Sequence, residues 1–104
     1  MKRYAFKMQL KEGCAAEYRK RHDEIWPEIK ELLKSSGICD YSIFLEESSN
    51  TLFAVQKQSG ELSSQDMGSH YLIEKWWAYM ADIMVVNPDN SPVISDLDEV
   101  FYLE

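Results

Sequence analysis

The sequence predicts an α+β fold in which helices cover one face of an antiparallel sheet. Three observations lead to this prediction: an alternating apolar pattern at the start, two helical stripes, and a strand–turn–strand unit between them. Their order, βαββαβ, is the ferredoxin-like arrangement. The 104 residues are enough for one such domain and leave little room for a second. We therefore predict a single domain over residues 1–104.

The first half of the chain predicts one strand and one helix. Apolar residues alternate over residues 2–10, as in a half-buried strand, and they are Tyr4, Phe6, Met8 and Leu10. A helix is then expected from Gly13 to about Ser35. Its apolar positions recur at helical spacing, and they include Tyr18, Ile25, Ile29, Leu32 and Leu33. Gly37 suits the left-handed residue that ends such a helix.

The second half predicts three strands and one interrupted helical region. Residues 38–46 and 51–58 read as strands on either side of the turn-forming segment ESSN. A helical region is expected from about Leu62 to Met84, with a break at Gly68-Ser69. Its later part places four apolar residues on one face, namely Leu72, Trp76, Met80 and Ile83. Residues 98–103, DEVFYL, are predicted as the last strand.

Neither face of the second and third predicted strands is cleanly polar. Alternation puts Cys39, Tyr41, Ile43 and Leu45 on one side of the second strand, and Ile38 and Phe44 on the other. In the third strand, Leu52 and Ala54 oppose Phe53 and Val55. One layer of helices covers only one face, so we expect a homodimer to cover the second. The alternative is a monomer with scattered apolar surface residues.

Composition and charge narrow the class of protein. The formal net charge of -7 argues against nucleic acid and anionic membranes as partners, because both need a basic footprint. Cys14 and Cys39 suggest no disulfide framework and are read as reduced thiols of a cytoplasmic protein. Neither a secretory signal nor a membrane span is expected. His22 and His70 lack metal-ligand spacing, and cofactor-binding glycine motifs are absent, so we predict neither metal nor cofactor.

Tyr18 and His22 form the first candidate site. Four residues apart on a helix, their side chains are neighbours at the edge of the apolar stripe. An unperturbed imidazole titrates near ~6.5, which suits proton transfer at neutral pH. Pro27 cannot donate an amide hydrogen bond, so the helix is expected to kink just after His22. The alternatives are a boundary histidine without a chemical role and a kink that only wraps the helix over the sheet.

Aromatic residues of the second half are the other candidates. Adjacent helical residues point about 100° apart, so Trp77 cannot share the core stripe with Trp76. Trp77 is either a wall of a cleft or part of the core or an interface. Tyr41 is either a hydrogen-bonded core tyrosine or a donor into a pocket. Cys14 is expected to be structural, and His70 is expected to be an exposed residue of a first helical turn.

Five segments together resemble the L-rhamnose mutarotase family: EYRKRHDEIWPEI, YSIFL, KWWAYM, NPDNSP and EVFYL. The similarity runs nearly end to end and weakens between Lys57 and Glu74. The resemblance implies a homodimer of dimeric α/β-barrel type that interconverts the α and β anomers of L-rhamnose. It implies that His22 is the general acid. It also implies four substrate contacts, at Tyr18, Tyr41, Trp76 and Trp77.

The implied reaction suits these residue types. Ring opening needs a proton on the ring oxygen while the anomeric hydroxyl loses one, and one acid/base group supplies ~10²–10⁴-fold acceleration. His22 would protonate the ring oxygen, with Tyr18 orienting His22 or a sugar hydroxyl. Tyr41 would bind a hydroxyl, and Trp77 would pack on the sugar. Fold alone leaves rivals, namely a cofactor-free oxygenase, a haem-binding enzyme, a ligand sensor or an interaction module.

Overall fold

The computed structural model describes residues 1–104 and contains one four-stranded sheet, three α-helices and a short 3-10 helix at Ser64–Asp66. In chain order the elements are β1 Lys2–Gln9, α1 Ala15–Asp23, α2 Pro27–Ser35, β2 Ile38–Glu46, β3 Thr51–Gln58, α3 Tyr71–Met80 and β4 Ser95–Leu97. All neighbouring strands are antiparallel, and their order is β2-β3-β1-β4. The predicted α+β class and ferredoxin-like arrangement are confirmed. No helix is long and apolar enough to cross a membrane.

The hydrophobic core lies between the sheet and the helices. Its most deeply buried members come from β1, β3, α2 and α3, and they are Phe6, Leu52, Ala54, Ile29, Ile73 and Met80. The two central strands therefore carry the core, as alternation along β1 and β3 predicts. The predicted bounds of β2 and β3 and of their four-residue turn are confirmed. Gly37 has the expected left-handed φ of 87° after α2, and a Cβ there would clash with Ser59 Oγ.

The helix expected from Gly13 to Ser35 is two helices, so the prediction of one kinked helix was wrong. Trp26 has an extended ψ of 130° because a residue that precedes proline is disfavoured in the helical region. Pro27 then occupies the first position of α2, where its missing N–H is not needed. At the end of α1, the amide of Ile25 donates a hydrogen bond to the carbonyl oxygen of His22, with an N–O distance of 3.2 Å. His22 consequently lies in the last turn of α1.

The second helical region is also shorter than predicted. Residues 64–66 form the 3-10 helix, and α3 begins only at Tyr71. His70 caps α3, since its Nδ1 accepts the amide hydrogen of Leu72 at 3.1 Å. It therefore lies just before the first turn rather than in it, and it is half-buried rather than exposed as predicted. Trp76 and Met80 are buried as expected, whereas Ile73 takes the core position assigned to Leu72.

The last strand is residues 95–97 and not residues 98–103. If the pairing of Ala5 with Leu97 continued, Glu99 would align with Arg3. Because β1 begins at Lys2, the residues beyond 100 have no partner on β1. Arg3 holds the departing chain with two hydrogen bonds to the Glu99 carboxylate, at 2.9 and 2.7 Å. The apolar side chains that follow are exposed, and they are Val100, Phe101, Tyr102 and Leu103.

A β-bulge between Cys39 and Ser42 changes which side chains of β2 face the helices. Asp40 sits in it with a φ of 47°. Strict alternation predicts that Ile38 and Tyr41 lie on opposite faces of the sheet. The extra residue of the bulge brings both to the face that the helices cover. Ile38 pairs with Gln58, while Ile43 pairs with Ala54, and all of these face the core. The bulge thereby turns Tyr41 toward the helices.

The other side of the sheet has no covering layer. Its apolar side chains form what is here named the open face, defined by Ala5, Phe44, Phe53, Val55 and Leu97. Phe44 pairs directly with Phe53, and Ala5 pairs with both Val55 and Leu97, so these residues are contiguous across all four strands. Phe44 remains 63% exposed. As predicted, neither face of β2 and β3 is cleanly polar, although Ile38, predicted on the same side as Phe44, lies on the helical side.

Candidate active site

A cleft of about 730 Å³ lies between the sheet and the three α-helices. It has the size expected of a small-molecule site, and 14 of its 22 lining residues are hydrophobic. All five residues predicted for the site line it, namely Tyr18, His22, Tyr41, Trp76 and Trp77. Residues from α1, β2 and α3, far apart in sequence, are thus brought to one place.

The tautomer of the neutral His22 ring is fixed by its own helix. Its Nδ1 lies 3.1 Å from the carbonyl oxygen of Tyr18, one turn earlier. A carbonyl only accepts, so Nδ1 carries the hydrogen of the neutral ring and Nε2 keeps a lone pair. Burial lowers the pKa of His22 below its ordinary value of 6.5, against smaller opposing effects of the Tyr18 carbonyl and Asp23. At neutral pH the ring is therefore mainly neutral and can accept a proton at Nε2.

Two phenols flank this imidazole. The ring of Tyr18 stacks on His22 with centroids 4.3 Å apart, and burial strongly raises the pKa of its hydroxyl. The bulge in β2 brings Tyr41 to the same cleft, where burial also raises the pKa of its hydroxyl, opposed by hydrogen bonding to Ser64 and Gln65. Both phenols stay protonated over the physiological pH range, so they are hydrogen-bond donors rather than bases.

The two tryptophans have different surroundings. Trp76 is largely buried, meets the His22 ring edge-on at 5.5 Å, and packs against Trp26 at 5.1 Å between ring centroids. Trp77 is only half-buried and also lines the cleft. Its ring is packed against Gly68, where a Cβ would come within 2.5 Å of the indole. Trp76 therefore supports His22, while Trp77 offers an apolar surface to the cleft.

Comparison with known proteins identifies the family. The family model described as L-rhamnose mutarotase matches residues 3–103. The chain belongs to the L-rhamnose mutarotase family. An L-rhamnose mutarotase from Bacteroides thetaiotaomicron is 59% identical, and one from Formosa agariphila is 57% identical, each alignment covering both chains completely. The crystal structure of an L-rhamnose mutarotase from Formosa agariphila superposes with a TM-score of 0.94 at 54% identity, over 100% of both chains. The resemblance seen in the sequence is confirmed.

Sequence reasoning missed a polar wall of the cleft in this mutarotase-family chain. The side chain of Gln56 is fully buried and donates to the Ser64 hydroxyl at 2.7 Å, while its Oε1 accepts the Ser64 amide at 2.9 Å. Gln65, which follows Ser64 in the sequence, lines the cleft together with Tyr41. Residues 63–66, SSQD, carry a sequence signal for this turn, because Ser63 and Asp66 form the capping box that fixes it. The segment had been assigned to a longer helix.

Arg21 was also missed, although it connects the two helices that carry His22 and Trp76. Its guanidinium bonds Glu17 at 2.8 Å, the Asp82 carboxylate at 2.8 and 3.2 Å, and the carbonyl oxygen of Tyr79 at 2.7 Å. It also lies 4.5 Å from the centroid of the Tyr79 ring. In this mutarotase-family fold, Arg21 therefore ties the end of α1 to the end of α3. Its position beside His22 in the sequence was the available signal.

The remaining candidates lie outside the cleft. Neither Cys14 nor His70 lines it, and His70 serves as the cap of α3. Pro27 also does not line the cleft; it starts α2 and so permits the break after α1. No group of three or more His, Cys, Asp or Glu side chains is arranged to hold a metal ion.

Proposed function

We propose that the chain is an isomerase that interconverts the α and β anomers of L-rhamnose, with His22 moving the proton. The observation that carries the proposal is the His22 ring, fixed through Nδ1 and walled by two phenols and an indole, in a chain of this family. Ring opening and closure transfer only protons within the sugar. The reaction therefore needs one acid/base group and a cleft that holds the sugar.

The resting state of His22 determines the order of the proton transfers. Neutral His22 takes the proton of the anomeric hydroxyl on Nε2, and the imidazolium delivers it to the ring oxygen as the bond between that oxygen and the anomeric carbon breaks. Both oxygens are attached to the anomeric carbon, so one nitrogen can serve both. Rotation of the aldehyde and the reverse transfers close the ring as the other anomer. His22 is thus first a base and then the general acid that the sequence suggests.

The aromatic residues hold the sugar and the imidazole. The protonated hydroxyls of Tyr18 and Tyr41 donate to sugar oxygens, and Tyr18 also supports His22 by ring stacking. Trp77 packs against the C–H bonds of the sugar. Trp76, assigned as a substrate contact, acts mainly through its edge contact with His22. Gln65 adds a polar group on the Tyr41 side of the cleft.

Exchange NMR of the anomeric protons of L-rhamnose tests this function directly. The purified protein should increase the exchange rate between the α and β signals in proportion to its concentration. Heat-denatured protein at the same concentration is the control for buffer catalysis. If exchange with the native protein stays at the spontaneous rate, the proposed function is wrong.

We also infer that two copies of the chain form a homodimer through the open face. Helices already cover the opposite side of the sheet, so only another protein surface can cover Phe44, Phe53 and Val55. Four further exposed apolar residues follow β4, an edge strand of the sheet. A second copy is self-complementary about a two-fold axis and pairs apolar side chains with apolar side chains.

Phe44→Glu is expected to convert the dimer into a monomer, because it places a charge among the apolar side chains of the proposed interface. Size-exclusion chromatography with light scattering would measure the mass. Tyr71→Glu, at a 66% exposed aromatic residue on α3, is the matched control and should remain dimeric. A monomeric native chain, or a dimer unaffected by Phe44→Glu, would refute the interface.

We place the enzyme in the cytoplasm, where the free thiols of Cys14 and Cys39 stay reduced. The net charge of -7 makes nucleic acid and anionic membranes unfavourable partners. The sugar and a second copy of the chain are the partners proposed.

A further inference from the structure

A second, smaller cavity adjoins the cleft at His22. It measures about 50 Å³ and shares seven lining residues with the cleft, among them Tyr18, His22 and Trp76. Six residues line only the smaller cavity: Met8, Met80, Met84, Val86, Asn90 and Pro92. We name it the methionine chamber after its three buried methionines. Its one separate polar member, Asn90, is exposed in the loop before Pro92.

The size of the methionine chamber limits what it can hold. A cavity needs about 10–15 Å³ of water-accessible volume to hold one water molecule, so the chamber has room for a methyl-sized group and not for a sugar ring. The polar residues Tyr18, His22, Tyr41 and Gln65 are shared with the cleft. Five of the six residues that line only the chamber have thioether, aliphatic or proline side chains, which offer no strong hydrogen bond to a hydroxyl. The chamber is therefore suited to a single apolar substituent projecting from a ligand in the cleft.

The reaction chemistry places such a substituent next to His22. In a 6-deoxy sugar the methyl group is attached to C5, and C5 is bonded to the ring oxygen. Any pose that brings the ring oxygen to Nε2 of His22 therefore brings the methyl group close to the same imidazole. His22 lines both the cleft and the methionine chamber. The two spaces thus match the two parts of the sugar, its hydroxylated ring and its methyl group.

We propose that the methionine chamber binds the C6 methyl group and makes the enzyme selective for 6-deoxy sugars. This proposal rests on the proposed function. Two sugars with the same hydroxyl configuration separate the contribution of the methyl group. L-lyxose lacks C6 altogether, and L-mannose carries a hydroxyl on C6. Loss of one methyl contact in an apolar pocket lowers kcat/KM by about 10–200-fold, and an added hydroxyl lowers it by up to about 10²-fold.

The test is exchange NMR of L-rhamnose, L-lyxose and L-mannose with the native protein and with Val86→Phe. Val86 lines the chamber, whereas its neighbour Val85 does not and is partly exposed, so Val85→Phe is the matched control. The native enzyme should prefer L-rhamnose to L-lyxose by about 10–200-fold. Filling the chamber in Val86→Phe should bring this ratio close to one, while Val85→Phe should keep it.

The outcomes separate the chamber from the function. If the native protein accelerates none of the three sugars, the proposed function fails. If it accelerates L-rhamnose and L-lyxose equally, or if Val86→Phe lowers both in the same proportion, the methyl-binding role is refuted while the mutarotase activity stands. The ratio of the two sugars is independent of the folded fraction. Should circular dichroism show that Val86→Phe does not fold, Val86→Leu decides between the same outcomes.

Discussion

Replacing His22 by alanine is expected to lower kcat/KM for L-rhamnose anomerisation by about 10²–10⁴-fold, the range of one positioned acid/base group. Among the five predicted site residues, the imidazole is the one whose pKa suits proton transfer, because burial raises the pKa of both phenols. Residual acceleration would come from the cleft that holds the sugar. Exchange NMR under saturating and limiting sugar would separate kcat from KM.

Two variants control for a structural role of His22. His22→Gln retains a polar side chain next to Tyr18 and Trp76, and it should be as inactive as His22→Ala while remaining folded by circular dichroism. His70→Asn alters the chain's other histidine and keeps a good helix cap, so it should leave kcat/KM unchanged. A folded His22→Gln enzyme with native activity would assign the proton transfer to another group.

The pH profile of kcat/KM is expected to fall tenfold per unit on the acidic side, because the proposed mechanism starts from neutral His22 acting as a base. Burial lowers the pKa of His22, so the midpoint of this limb should lie below 6.5. Above it the enzyme should stay active into the alkaline range, since burial raises the pKa of Tyr18 and Tyr41 above their ordinary value of 10.0. The measurement is the enzyme-dependent exchange rate after subtraction of the buffer rate at each pH.

The opposite profile would assign a different resting state. If His22 had to start as the cation, kcat/KM would fall as pH rises through its pKa. The Nδ1 hydrogen bond to the Tyr18 carbonyl is compatible with both forms, so the profile decides between them. The residual rate of His22→Gln should show no acidic limb, which ties the limb to this imidazole.

Patterns local in sequence predicted most of the fold. β2 and β3 follow from short alternating runs around a turn-forming segment, and their bounds match the structure. The wrong assignments arise where two secondary-structure elements meet, either in sequence or by strand pairing. Pro27 both ends one helix and starts another, and single-residue spacing does not distinguish this from a kink. The apolar pattern predicts the last strand at residues 98–103, although β1 begins at Lys2 and its register leaves no partner beyond residue 100.

Contacts within the site were predictable from spacing only for residues that lie on the same secondary-structure element. Tyr18 and His22 neighbour each other on one helical turn, so spacing alone paired them. The family resemblance supplied the link to Tyr41 and Trp77, which lie on other elements. Gln65 was not predicted as a site residue, because its turn falls in a segment that was predicted as helix. The tautomer of His22 depends on a backbone contact, and no side-chain pattern encodes it.

The bulge at Asp40 acts on β2 as an inserted base acts on a reading frame. Before it, even-numbered residues such as Ile38 face the helices; after it, odd-numbered residues such as Tyr41 and Ile43 do. Both the hydrophobic anchor at the start of the strand and the phenol in the cleft therefore occupy the same side, which an unbroken strand does not allow at this spacing. One left-handed residue, rather than any contact of Tyr41 itself, selects whether that hydroxyl faces the cleft or the open face.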